Sequence, residues 1–186
     1  MKKSASLGIR PQDILLLLKL IASEGRKLRQ LDLAMELGLS QAEIAYALGR
    51  LKNAGLVDES KKRVQKLAVI ELVSHALKYF YPAEFGSFAR GVPTGHSARP
   101  MVGKLMVEEN LDWVWPSPEG ERRGIALVPI YETVPSAAKN DPELYELLAL
   151  VDSIRAGSVR ERKIAEEEFR KRVLRRKNSE QYEAAP

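Results

Sequence analysis

With 186 residues, 45% apolar side chains and a net charge of +5, the chain can bury a core of ordinary size, which excludes wholesale disorder. It has no cysteine, so disulfide scaffolds and thiolate chemistry are excluded. The opening Met1-Lys2-Lys3-Ser4 is basic, but no apolar signal core follows it. The apolar run Ile14 to Leu18 is cut by Lys19, so no membrane association is expected and a cytoplasmic location fits.

The charge is unevenly spread. Residues 1–66 carry 13 Lys/Arg against 7 Asp/Glu, residues 67–154 carry 7 against 12, and residues 155–177 carry 10 against 4. Basic ends flanking an acidic middle point to anion-facing segments on a body with other duties.

In chain order, Pro11 suits the first turn of a helix and Asp13 its positive end. Ile14, Leu15, Leu17, Leu18 and Ile21 give an apolar face. Leu16 and Leu20 make the helix apolar nearly all round, which predicts a helix that is central or shared with a second copy. Gly25 ends it. A second helix is predicted over 30–37 with Leu31, Ala34 and Leu37 inward, and Gly38 breaks it. Ser40 opens a third helix, and Glu43 stands at capping-box spacing from it. Ile44, Ala47, Leu48 and Leu51 form the buried stripe, and Ala54-Gly55 ends the helix. Leu56-Val57 reads as a short strand, Asp58 to Arg63 as a basic turn, and Val64-Gln65 as its return. From Lys66, Leu67, Ile70, Val73, Leu77 and Phe80 recur at helical spacing until Pro82.

The middle of the chain changes character. Residues 82–142 are rich in proline and glycine, yet Phe85, Phe88, Met101, Trp113, Trp115 and Leu127 lie among them. A disordered linker would lack such aromatics, so an ordered segment of turns and short strands is expected, with a helix near Met101 to Glu109. Helix returns after Asp141, which caps with Pro142 first, and Leu144, Leu147, Leu148, Val151 and Ile154 face inward. Ser158 and Glu161 repeat the capping-box spacing. A basic helix follows to Arg176, with Ile164, Val173 and Leu174 as its apolar stripe and Phe169 to one side.

Two short helices joined by a Gly-containing turn form a helix-turn-helix. Ala34 is small where the two helices cross, Gly38 can adopt the left-handed turn, and Ile44 plugs the core beneath. If the third helix buries its stripe, Gln41, Ala42, Ala45, Tyr46, Gly49 and Arg50 face outward, with Ser40 at the cap. Gln41 at the N-terminal end can pair bidentately with adenine, and Ala42 and Ala45 permit close approach to a thymine methyl. Tyr46 and Arg50 suit backbone phosphate, and Arg50 can alternatively read guanine. Lys61, Lys62 and Arg63 occupy the following turn, where cations can track the DNA backbone.

The run Leu39-Ser40-x-Ala42-Glu43-Ile44-Ala45-x-Ala47-Leu48, followed by Leu51-Lys52-Asn53-Ala54-Gly55-Leu56-Val57, makes residues 11–65 resemble winged-helix transcription regulators of the MarR-like and ArsR-like type. The resemblance covers under a third of the chain, and the long Pro/Gly-rich middle is foreign to those regulators. Tyr81-Pro82-Ala83-Glu84, the Arg90 to Ala98 loop and Leu144 to Asp152 resemble bacterial winged-helix regulators, some of which accompany nucleotidyltransferase-type toxins.

Enzyme chemistry is poorly supported. Thr94, His96 and Ser97 share one loop flanked by Arg90 and Arg99, but adjacency in sequence does not make a triad, and no phosphate-loop pattern exists. Two histidines and no cysteine argue against zinc, and no cofactor is expected. The resulting expectation is a mainly α, non-enzymatic protein. It has a winged helix-turn-helix with its following helix over 1–81, an irregular segment over 82–140, C-terminal helices over 141–177 and a tail over 178–186. It would act as a dimeric, sequence-specific repressor on double-stranded DNA. Its homodimer seams are expected in the first helix or the helices after Asp141. The alternatives are an antitoxin-like module that binds a partner enzyme through residues 82–177, and RNA binding through the arginine-rich end.

Overall fold

A computed structural model describes residues 8–61, 63–104 and 112–175. These residues are mainly helical, with one small three-stranded sheet.

Helix α1 (Pro11–Ala22) begins on proline, and the Arg10 N–H donates to Asp13 Oδ2 at 2.9 Å. Residues Ile14 through Leu18 are completely buried. Helices α2 (Gln30–Leu37), α3 (Gln41–Asn53) and α7 (Pro142–Ala156) surround α1. The all-round apolarity of α1 is therefore satisfied within this chain, so of its two expected readings, central or shared with a second copy, the structure shows the central one. Lys19, also buried, pairs with Glu36 of α2 and with Asp141 at 2.6 Å.

Helix α2 ends where Gly38 takes φ +64°; the Leu39 N–H reaches Ala34 O at 2.9 Å and the Gly38 N–H reaches Met35 O at 3.4 Å. This left-handed closure satisfies carbonyls that a helix end leaves free. Leu33, Ala34 and Leu37 are buried while Leu31 is exposed, so the inward leucine is Leu33. Five apolar residues in an eight-residue helix leave the periodicity too little length to choose between them. Thr133 braces the turn from outside, donating from Oγ1 to Leu37 O at 2.8 Å.

Ser40 caps α3 by accepting the Glu43 N–H at 3.0 Å. The return arm of the expected capping box is absent, because the Glu43 carboxylate turns instead to Gln12 and Arg50. Gly55, at φ +72°, closes α3 as Gly38 closes α2. The chain then pairs Val57 with Val64 in an isolated antiparallel bridge, extended by Gln65 N–H to Leu56 O at 2.9 Å.

Helix α4 (Lys66–Glu71) runs through a π-helical stretch (Leu72–Ala76) into α5 (Leu77–Phe80). The extra residue in the π turn rotates the face. Val69, Ile70, Val73 and Leu77 are buried, whereas Leu67 and Phe80, expected inward, are exposed.

The segment expected to be irregular forms a sheet whose strands each pair with both others. Strand β1 (Phe85–Thr94) runs antiparallel to β2 (Trp113–Pro116) and to β3 (Arg122–Leu127), and β2 and β3 pair in parallel. Gly91 lies where strands converge: a Cβ there would sit 2.0 Å from the Trp115 carbonyl oxygen. Of the helix expected near Met101 to Glu109, Met101 to Lys104 form turns and the rest lies outside the described residues.

After α6 (Val134–Lys139), α7 starts as expected, with Asp141 accepting the Leu144 N–H at 3.0 Å. Packed between α1, α6, α8 (Val159–Leu174) and the sheet, α7 is buried over most of its length. It carries one buried acid into the sheet. Asp152 accepts from Thr94 Oγ1 at 2.8 Å, Trp115 Nε1 at 2.6 Å and Arg155 at 2.8 Å. Burial pushes its pKa up, against the pull of Arg155 and the two other donors. The Ser158–Glu161 capping box forms reciprocally.

Candidate nucleic-acid interface

The sequence of α3 divides the helix sharply. Ile44, Ala47, Leu48 and Leu51 are buried, and Gln41, Ala42, Ala45 and Tyr46 are exposed, the last at 67%. Gly49 adds open space, since a Cβ there would meet nothing within 4 Å. The cap residue Ser40 is exposed beside Gln41. This outer face is uncharged and shallow: one amide, two methyl groups, one phenol and a gap. Such a surface can approach another macromolecule closely.

Arg50 does not belong to that face, which corrects its assignment as a reader of bases or phosphate. Its guanidinium turns back to α1, donating to Asp13 Oδ2 at 2.8 Å and Oδ1 at 2.6 Å, and to Glu43 Oε1 at 2.5 Å. The Asp13 side chain is 0% exposed and that of Arg50 only 11%. The hydrogen bonds that Arg50 donates to Asp13 raise its pKa still further above its ordinary value. Burial opposes the charge on Glu43, but hydrogen bonds from Arg50 and Gln12 hold its carboxyl below the usual range. The cluster fixes α3 onto α1.

The other charges of this segment sort by geometry. Glu24 pairs with Lys66, Asp32 with Arg29, Glu36 with Lys19 and Arg26, and Glu59 with Lys52. Asp58 accepts from Ser60 and from the Arg63 backbone N–H. Among the described residues of this segment, Arg10, Lys27, Lys61 and Arg63 have no ion pair. Lys27, Lys61 and Arg63 line one cleft of about 1010 Å³, between the Ser23–Gln30 connection and the Ser60–Val64 turn. Lys61 is held at φ +60°, and Lys62 lies outside the described residues. Lys27 escaped the sequence reading, because nothing local distinguishes it from the paired Arg26 and Arg29 beside it.

The Arg90–Pro100 loop has structural partners. Thr94 donates to Asp152, Ser97 Oγ accepts the Trp113 N–H at 2.8 Å, and His96 Nδ1 lies 3.1 Å from Glu161 Oε1 with its ring against Trp113. Thr94 is thus held by α7, while His96 and Ser97 both sit at Trp113. Among the described residues no group of His, Cys, Asp and Glu is placed to hold a metal ion, and no helix is long and apolar enough to cross a membrane. In comparison with known proteins, the chain matches no family model, no curated protein and no solved structure.

Proposed function

We propose that the chain is a sequence-specific double-stranded DNA-binding regulator of transcription. In this reading α2 and α3 form the helix-turn-helix and the bridged Val57–Val64 turn the wing. The observation that carries it is the pairing of an exposed, uncharged outer face on α3 (Gln41, Ala42, Ala45, Tyr46) with the unpaired cations Lys61 and Arg63 on the adjoining turn. The first can enter a major groove and the second can neutralise phosphate. Gel shifts on DNA from upstream of its own gene test this reading. Gln41→Ala is expected to weaken the best site by about 1–3 kcal/mol and to relax base preference there. Unchanged affinity and preference would remove this face from the interface.

Reading two half-sites requires a dimer, and the repressor is proposed to act as one. With α1 and α7 buried within the chain, sedimentation tests for a dimer formed through other surfaces, and a monomer at tens of micromolar would oppose it. A second reading is an antitoxin-like module that holds a partner enzyme. It is favoured by the aromatic residues Tyr79, Phe80, Phe85 and Phe88, all exposed within a ten-residue stretch of α5 and β1, since aromatic side chains are enriched at protein interfaces. Pull-down with the product of a neighbouring gene, lost on Phe85→Ser and Phe88→Ser, would support it.

A further inference from the structure

We propose that the cleft between the α1–α2 connection and the Ser60–Val64 turn is a binding site for a phosphate monoester carried on an apolar body. Its regulatory consequence alone rests on the DNA-binding reading. Three features of the cleft set the chemistry of its ligand. Its floor includes the apolar side chains of Leu20, Leu28, Leu33, Leu48 and Val64. Its wall contains Ser23, 5% exposed, whose buried Oγ has no hydrogen-bond partner. Its rim carries Lys27, Lys61 and Arg63 without ion pairs.

Each feature calls for something the chain itself does not provide. Buried hydroxyls in folded proteins almost always find a partner, and a ligand that parts the cleft wall would supply one to Ser23. Glu24 also lines the cleft, but Lys66 at 2.6 Å already neutralises it, as Glu36 does for Arg26 and Asp32 for Arg29. Among the described lining residues, the charge left without an ion pair is that of Lys27, Lys61 and Arg63. A single carboxylate would answer only one of them, whereas a phosphate monoester brings nearly two negative charges and several strong acceptor oxygens. Free phosphate would leave the apolar floor uncovered, and a neutral apolar molecule would leave the cations unanswered. The volume of about 1010 Å³ is at the top of the roughly 300–1,000 Å³ range of small-molecule sites. Lys61 is the one described non-glycine residue with positive φ, and a conformation of that kind is commonly retained at ligand clamps.

Such a ligand and a DNA backbone would compete for Lys61 and Arg63. Ligand binding is therefore expected to lower duplex affinity, as an effector that releases a repressor does. The test is isothermal titration calorimetry on the full chain without DNA, using 1-naphthyl phosphate, 1-naphthol and inorganic phosphate as probes. The expected result is one-to-one binding of 1-naphthyl phosphate, with both other probes at least tenfold weaker. Ser23→Ala and Lys27→Gln should each weaken the phosphate ester at least threefold while their thermal melts stay cooperative. Inorganic phosphate binding as tightly as the ester would overturn the proposal, since the floor would then have no role. So would 1-naphthol binding as tightly, or ester binding that survives a folded Lys27→Gln/Arg63→Gln double variant. Duplex binding without ester binding would defeat this inference and leave the DNA reading intact. Ester binding without duplex binding would uphold the site and defeat the DNA reading.

Discussion

Arg50 and Glu43 lie two helical turns apart on α3, and both converge on α1, where Asp13 is completely buried. Removing one partner of a buried ion pair leaves an uncompensated charge, at a cost of about 3–5 kcal/mol. Arg50→Ala is accordingly expected to lower stability by about 3 kcal/mol in urea unfolding, without altering the base preference of the protein that remains folded. A changed preference at normal stability would return Arg50 to the interface. Lys61 makes the opposite case. A non-glycine residue in the left-handed region carries a penalty of about 1–2 kcal/mol, so Lys61→Gly should stabilise the fold by about 1 kcal/mol. The same change removes a cation, so it should weaken all duplexes alike and reduce the slope of log affinity against log salt. Stability and binding then move in opposite directions, and a parallel loss of both would contradict this account.

At the scale of elements, α8 differs most from its reading. The expected stripe of Ile164, Val173 and Leu174 is displaced: Ala165, Phe169 and Val173 are fully buried at i, i+4 and i+8, and Leu174 is 40% exposed. The helix belongs to the core, packed along α7 and held by Arg172 to Glu146 at 2.7 Å. Phe169→Ala should therefore cost about 3–5 kcal/mol, read as an unfolding midpoint well below that of the parent. A shift of under 1 kcal/mol would mean that α8 detaches without consequence. The basic end is also less free than its composition implies, because Lys171 and Arg172 both bond Glu168. Arg170 and Arg175 remain exposed. A second grip on nucleic acid from this end would rest on them and on residues outside the described part.

Across the whole molecule, ion pairs join segments far apart in sequence. Lys104 of the middle segment meets Glu168 of α8 at 2.7 Å, and Lys19 of α1 meets Asp141 at the start of α7. The Lys104 hydrogen bond, followed by that of Arg172, depresses the Glu168 pKa to about 2. Burial opposes the charge on Asp141, but Lys19 keeps its carboxyl low as well. A carboxylate that ionises more readily folded than unfolded contributes stability that is fully present above its unfolded pKa of about 4.3. That stability is lost as pH falls through the folded value. Melting temperature is therefore expected to fall between about pH 4.5 and pH 2. Glu168→Gln should lower it near neutral pH and make the acid fall shallower. An acid limb identical to that of the parent would show that the Glu168 contacts contribute nothing.

What could be read from sequence was local. Gly38 and Gly55 end helices because only glycine takes a left-handed residue without penalty, and Ser40, Asp141 and Ser158 start them because a short polar side chain can satisfy a free N–H within its own first turn. The outer face of α3 followed from its apolar spacing for Gln41, Ala42, Ala45 and Tyr46, but not for Arg50. Tertiary structure decided whatever depended on a partner distant in the chain. Asp13 lies 37 residues from Arg50, and β1 finds β2 and β3 across loops that carry no register signal. A short or thin apolar stripe, as in α2 and α8, does not say which side meets the core. Periodicity reports only that a helix has an apolar side, and the buried face and the cations left unpaired are selected when all elements pack at once.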